Sequence, residues 1–489
     1  MTEIAPNTPV IVGVAAVQQR IETAGEGMEA SELMVEALRR AAEAAGSTEL
    51  LQRADRIEVP KGIWGYSDPG SLVADALGAT QAQTVLGEIG ILQQTLMNRA
   101  CDAIAVGEAA VVLVTGAEAK YRALRGQIAG VEVPETLQTD DEPDLILKPD
   151  ADLWSPVESE AGLGMPVGYY AILDSALRAS QGLSVGEHRD QMAQMYAGFS
   201  QVAAANEDAW VREPVAAEFI REHSAKNKML AFPYTKLHNS QWNVDQAAGL
   251  IYCSVALAEE LGIPREQWVF PLAATESNAM SVVSARKALH RSYGFNIAGR
   301  RVLELADKVA ADIDLMELYS CFPLAVRVQL EELGLSADRS LTVTGAMTFG
   351  GGPLNNFVLQ ATVKMAQLLR EGVGSTGLVT SISGMNTKQA CALYASEPNP
   401  AGWQFADVTD EVAATTELVE VMSGYEGAAT IAGFTVLYQG EQSWRAVAVC
   451  DLPDGNRTVA FSEDSVLVEA MLGGEFVGRS VAITDGQFA

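Results

Sequence analysis

Histidine is scarce in this chain, and basic residues are outnumbered. Four histidines, at positions 188, 223, 238 and 290, serve 489 residues, and none follows His290. A histidine acting as general base in the C-terminal portion is thereby excluded. Five cysteines (101, 253, 321, 391 and 450) are odd in number, scattered, and never spaced as CxxC. That pattern supports neither a disulfide framework nor a zinc site, and most of these thiols are expected to be small buried hydrophobes. With 33 Lys and Arg against 63 Asp and Glu, the net charge of -30 opposes a polyanionic partner, so nucleic-acid binding is not expected. No stretch reaches the roughly 18 apolar residues of a membrane span. The start, Met1-Thr-Glu-Ile-Ala-Pro6, has neither a basic n-region nor a hydrophobic h-region. The expectation is a cytoplasmic protein without a membrane span.

What is present is ample material for large cores: 48% of the chain is apolar. Pro9 to Ala16 reads as a buried strand, Ala30 to Ala45 as a helix with Leu33, Val35, Ala37, Leu38 and Ala41 at helical spacing, and Arg56 to Pro60 as a second strand. Strands alternating with helices of this length imply parallel βαβ units. Residues 131–162 are acidic and carry Pro134, Pro143, Pro149 and Pro156, which reads as a long irregular excursion. Helices are expected over Gly168 to Ser180 and His188 to Asn206, the second with Met192, Met195, Tyr196 and Phe199 as a core-packing stripe. Glu397-Pro-Asn-Pro400 reads as a linker. Beyond it, residues 401–489 hold 14 acidic residues and three arginines. The strand-like runs there are Thr430 to Tyr438, Ser443 to Asp451, Arg457 to Phe461 and Ser480 to Thr484, which suggests a small barrel of oligonucleotide-binding type.

Two segments repeat one pattern some 260 residues apart. Gly90 to Ala100, leading to Ala110-Val-Val-Leu-Val-Thr-Gly116, and Gly350 to Val358, leading to Gly377-Leu-Val-Thr-Ser-Ile-Ser-Gly384, each read as a glycine turn, an amphipathic helix and a buried strand. The repeat suggests a duplicated α/β core. With Glu317-Leu-Tyr-Ser-Cys-Phe-Pro323, this order of elements resembles the thiolase superfamily, its sterol-carrier-type and thiolase-like branches above all. The resemblance implies two βαβαβαββ halves in a five-layer αβαβα fold. It places a first half at 1–120, a loop domain at 121–235, completion of the first half at 236–265, a second half at 266–398, and an additional β-rich domain at 401–489. Phe232-Pro-Tyr-Thr-Lys-Leu is similar to the stretch that precedes a small-residue helix in the sterol-carrier branch, expected here over Ala247 to Leu261.

The family's chemistry needs a cysteine nucleophile at a helix N-terminus, a histidine after a Gly-Gly turn, and a second cysteine near the end of the last strand. Matched onto this chain, the nucleophile position holds Gly90, with Cys101 about three turns further along the helix. The stretch Gly351 to Gln360 holds no histidine, and Ile382 stands at the second cysteine. The family's polar motif reads Tyr319-Ser-Cys-Phe322, so Cys321 takes a structural position. Acyl-cysteine thiolysis is therefore not expected, and no metal or resident cofactor is implied.

The resemblance still implies CoA or an acyl-CoA as ligand. Arg221, Lys226, Lys228 and Lys236, against a lone Glu222, form the most basic stretch and are the candidates for the nucleotide phosphates. Gly351, Gly352, Gly384 and Met385 are the candidates around the thioester, and tight turns alone explain such glycines equally well. Three readings stay open. The first is an acetyl-CoA acetyltransferase-like binder in lipid metabolism, with its enzymatic status undecided. The second is retro-aldolase-type or other altered acyl-CoA chemistry using Tyr319, and the third is a non-catalytic scaffold. The family also implies a homodimer through the core, which the C-terminal domain puts in doubt.

Overall fold

The computed structural model describes residues 4–139, 141–151 and 153–489. The first three residues, read above for a leader, and two positions of the acidic excursion lie outside it. Among the described residues no helix is long and apolar enough to cross a membrane.

The first half opens with β1 (Pro9–Gln18) and continues through β2 (Arg56–Pro60), β3 (Gln83–Gly87) and β4 (Val111–Ala119). Helices Ala30–Ala45, Pro69–Leu77 and Gln93–Ala105 connect them. The excursion is less irregular than its prolines suggest. It supplies β5 (Leu145–Leu147), which pairs parallel with β3, and a short capped helix, Pro156–Glu160. Helices Pro166–Ser180 and Val185–Ala205 follow, then the hairpin of β6 (Met229–Ala231) and β7 (Tyr234–Thr235). β8 (Asp245–Ser254) re-enters the core antiparallel to both β1 and β4. The sheet order is β1-β8-β4-β2-β3-β5.

The helix expected over Ala247 to Leu261 is therefore mostly strand, with only Val255–Glu260 helical. β8 is flanked by strands on both edges and covered on both faces, and every one of its residues is buried. Such a strand shows no two-residue alternation, and its small apolar run cannot be told from a buried helix by pattern.

The second half repeats the plan with β9 (Phe270–Ser277), β10 (Leu315–Glu317), β11 (Thr376–Ser383) and β12 (Lys388–Ala395). Its sheet runs β10-β11-β12-β9-β13, where β13 (Gln404–Asp407) lies parallel to β9. The repeat is imperfect in one respect. Among the described residues no strand flanks β10 as β3 flanks β2, and the sheet is extended instead at its other edge, by residues beyond the 397–400 segment. That segment is not loose, since the Asn399 amide donates to the Leu272 and Leu305 carbonyls at 3.2 and 3.0 Å. Helices Gln93–Ala105 and Phe357–Arg370 lie between the two sheets and touch strands of both, while Ala30–Ala45 and Tyr293–Leu305 cover the outer faces. This is the five-layer arrangement that the resemblance implied.

The four C-terminal strand-like runs all appear, as β14 (Gly427–Gln439), β15 (Gln442–Asp451), β16 (Arg457–Ser462) and β17 (Ser480–Thr484), joined by β18 (Gln487–Phe488). Their pairings close a ring, β14-β15-β16-β18-β17 and back to β14, in which only β16 and β18 are parallel. With helix Ser465–Gly473 between β16 and β17, this is the five-stranded barrel of the oligonucleotide-binding fold. Alternate residues of its strands fill two different cores. Ala446, Ala448 and Cys450 line the barrel interior, whereas Val447 and Val449 join the main core. The barrel is thus docked through the outer face of β15 and β16, and β14 also takes β6 as a neighbour.

Candidate functional site

The N-termini of the two central helices meet where the family places its chemistry. Gly90 has φ +104, a left-handed conformation that side chains seldom adopt. A Cβ there would stand 3.0 Å from Pro149 Cγ, so the excursion rests directly on the turn that the resemblance matches to the nucleophile. From the other side the Lys388 ammonium, buried on β12, donates to the Gly90 carbonyl at 3.0 Å. Burial pulls that lysine below its ordinary range. Near the second-cysteine turn, Leu153 of the same excursion lies 3.1 Å from where Gly384 would carry a side chain, and Ile382 is buried. Both turns are therefore covered from the same excursion, one by Pro149 and the other by Leu153.

Neighbouring polar groups are already engaged. Gln93, in the first turn of its helix, accepts from the Val358 amide at 2.7 Å, so this N–H of the facing helix is spoken for. The Gln246 amide donates to the Gly350 carbonyl at 3.0 Å, and the Gly352 amide donates to the Gln241 carbonyl at 2.9 Å. Gly351 and Gly352 lie in a turn over which residues 239–246 are laid. Around Gly384 and the buried Met385, the Tyr170 hydroxyl lies 3.4 Å from the Gly384 carbonyl and accepts from the Asn386 amide at 3.0 Å. Tyr170 packs on Phe322 with ring centroids 4.5 Å apart, and Tyr234 stacks on Phe322 at 6.0 Å. Aromatic rings thus fill the space beside the 319–322 motif.

None of the thiols sits in a thiolate-favouring setting. Burial pushes Cys253, Cys321, Cys391 and Cys450 up to about 12, and Cys101 is raised well above its ordinary value. Tyr319 lies edge-on to Phe357 at 6.0 Å, and its amide donates to Thr380 Oγ1 at 2.8 Å. Burial drives its phenol far above the ordinary range.

The four cations are only partly brought together. Lys228 and Lys236 face each other across the β6–β7 hairpin through a 2.8 Å backbone bond, and with Lys226 they are exposed. Arg221 is engaged by Asp190 and Glu222, and Lys228 reaches Glu441 at 4.0 Å.

One polar cluster was not found by the sequence reading. Asp174 is fully buried and receives Arg327 at 2.7 Å and the Tyr234 hydroxyl at 2.7 Å, with His188 Nε2 lying 3.2 Å away. Burial works against its charge, yet His188 and Arg327 hold the carboxyl well below the usual carboxylate range. The available signal was an aspartate inside the apolar run Tyr170-Ala-Ile-Leu-Asp-Ser-Ala-Leu177. The cluster ties the helix Pro166–Ser180 to the helix Pro323–Leu333 and fixes the back of the 319–322 motif.

No family model matches the sequence. A 3-ketoacyl-CoA thiolase from Marinomonas sp. (strain MWYL1) is 29% identical over 143 residues, which span 29% of this chain and 34% of that thiolase. Among solved structures, the chain is similar over 99% of its length to a monomeric SCP2-thiolase like protein type 1 from Mycobacterium smegmatis, with a TM-score of 0.83, 28% identity and 99% of that chain covered. The fold is shared with the Ltp2-ChsH2(DUF35) aldolase, at a TM-score of 0.61 and 19% identity over 81% of this chain and 99% of that one. It is shared also with human mitochondrial 3-ketoacyl-CoA thiolase in complex with CoA, at a TM-score of 0.57 and 18% identity over 81% and 100%. The mycobacterial protein, matched over 99% of this chain, is similar across the barrel as well. The chain has a thiolase-like fold, a duplicated α/β core extended by a docked β-barrel.

Proposed function

We propose that this chain binds CoA or an acyl-CoA and carries out no acyl-cysteine chemistry. The observation that carries this reading is the nucleophile turn: Gly90 offers no side chain, Pro149 rests on it, and all five thiols are held protonated by burial. A thiolate at a helix N-terminus is the feature on which acyl transfer depends. Incubation with acetoacetyl-CoA followed by intact-mass measurement is expected to give no adduct of about 42 Da, the mass of an acetylated nucleophile. A stoichiometric adduct on any cysteine would overturn the reading.

The CoA half of the proposal rests on the thiolase core and on the exposed Lys228 and Lys236 pair, with Lys226 and Arg221 beside them in sequence. Reversing charge at Lys228 and Lys236 together is expected to weaken CoA binding by about 1–3 kcal/mol, and to weaken dephospho-CoA binding less. Titration calorimetry reads both. Absence of CoA binding in the unmutated protein would favour the scaffold reading instead. The setting of Tyr319, enclosed by Phe357 and shifted away from ionisation, gives no support to a tyrosinate base. A cytoplasmic place in acyl-CoA or lipid metabolism is part of the same proposal.

A further inference from the structure

A half-open space lies beside the Gly384 turn, which contributes Asn386 and Thr387 to its wall. It measures about 120 Å³ and is bounded by the 279–294 segment, by Asn386, Thr387 and Gln389, and by residues 412–418 leading to the barrel. None of Gly90, Tyr319 or Ile382 lines it.

Its deepest charged group is Arg286, 6% exposed. The guanidinium donates to Ser281 Oγ at 3.1 Å, to the Ser281 carbonyl at 2.9 Å and to the Asn386 carbonyl at 3.2 Å. All three acceptors are neutral, and among the described residues no carboxylate pairs with it. Glu158 contributes attraction at longer range, but its two oxygens are taken by the Ser284 and Ser155 amides. A buried cation without a counter-ion is costly. Burial pulls Arg286 down to about 10, the direction that cost produces.

Three further features face the same space. Helix Tyr293–Leu305 begins there with no side chain capping its first turn, so its dipole and leading amides favour an anion. Among the described residues nothing donates to Gln389 Oε1 or Asn386 Oδ1, on residues 2% and 4% exposed. The remaining charges are accounted for: Arg291 is held by Glu332, which also accepts the Ser292 amide, and Glu417 is exposed at the rim. The wall itself is braced from the barrel, because Arg457 donates to the Arg286 and Lys287 carbonyls while pairing with Asp451.

A cationic floor, a helix N-terminus and two unfilled acceptors call for a ligand that is an anion at one end and a hydrogen-bond donor at the other. We propose that this cavity binds a short hydroxycarboxylate, its carboxylate on Arg286 and its hydroxyl donating to Gln389 or Asn386. The volume equals that of about four waters at roughly 30 Å³ each, the scale of a two- or three-carbon hydroxy acid whose bonded atoms pack closer than separate waters.

Titration calorimetry of the full-length protein with glycolate, lactate, acetate and inorganic phosphate tests this. Glycolate or lactate is expected to bind saturably and at least about threefold tighter than acetate, the margin one hydrogen bond supplies. R286Q should weaken binding at least about tenfold. A288L, which keeps the arginine and fills the space, should abolish it. A crystal of the unmutated protein soaked in glycolate should show the carboxylate on Arg286, which decides the matter even if the variants fold poorly. No saturable binding of either hydroxy acid up to about 10 mM overturns the proposal, as does tighter binding of phosphate or density located elsewhere. The result is independent of whether CoA binds.

Discussion

A side chain introduced at position 90 meets both a left-handed backbone and the ring of Pro149. G90A and G90C are therefore expected to destabilise the protein by about 1–3 kcal/mol in urea denaturation, through backbone strain and displacement of the excursion. G90C should not acquire thiolase activity, because the restored thiol would still lack a histidine. A second residue-scale prediction concerns Glu118. Its Oε1 accepts the Ile63 amide at 2.8 Å while Oε2 has no partner among the described residues, and burial pushes the carboxyl up to about 7. An unfolded glutamate titrates near 4.3, so between there and pH 7 the folded chain keeps a proton that the unfolded chain has lost. The stability this proton brings is complete below about pH 4 and disappears as pH rises through 7, by at most about 4 kcal/mol. E118Q should flatten that fall, as measured by denaturation at pH 4.5 and 7.5. A slope unchanged in the variant would assign the effect to Glu58 or Glu317, which are also raised to about 7.

The docked barrel is the element whose attachment can be tested most directly. Arg178, 1% exposed, makes a forked pair with Glu475 at 2.8 and 3.1 Å, and Phe434 donates its amide to Ser175 at 2.8 Å. R178A should cost about 1–3 kcal/mol, the range for hydrogen bonds to a charged group, since Glu475 is 40% exposed and turns to water once alone. Elements with clear periodicity were legible in the sequence: β1, β2 and helix Ala30–Ala45 appear where hydrophobic spacing put them, as do four barrel strands. β8 was not legible, because burial on both faces erases alternation. β5 was not, because three residues in an acidic, proline-bearing stretch carry no period at all. Of the candidate site, the glycine turns could be located by their repeat, but their covering could not. Pro149 and Leu153 lie some 60 residues from Gly90 and over 200 from Gly384, and no local rule joins them. For the same reason the Asp174 cluster, drawn from four separate segments, left only a lone aspartate as its trace.

At the scale of the molecule, the outer edge of β3 is occupied by β5 of the same chain. An edge already paired cannot receive a second copy. The protein is expected to sediment as a monomer near its mass of 51.9 kDa. It is the excursion, rather than the C-terminal domain, that stands in the way of edge pairing there. Deleting 141–151 should uncover β3 and produce self-association in analytical ultracentrifugation. Truncation after residue 426 should expose the main-core partners of Val447, Val449 and Val459, lowering the melting temperature or causing aggregation. Truncation after 400 should be worse, since it also removes β13 from the second sheet.

The position of β8 has a consequence for how the chain is made. β1 and β4 have no direct pairing with each other, and both wait for a strand that ends at Ser254. At about 5–20 residues per second, β1 leaves the ribosome some 10–50 s before its neighbour exists. Until then two apolar strand edges stand open on the nascent chain, a slow, non-local closure that leaves it exposed to wrong partners. Expression yield of this protein should therefore depend on translation rate and on chaperones far more than its final stability would suggest.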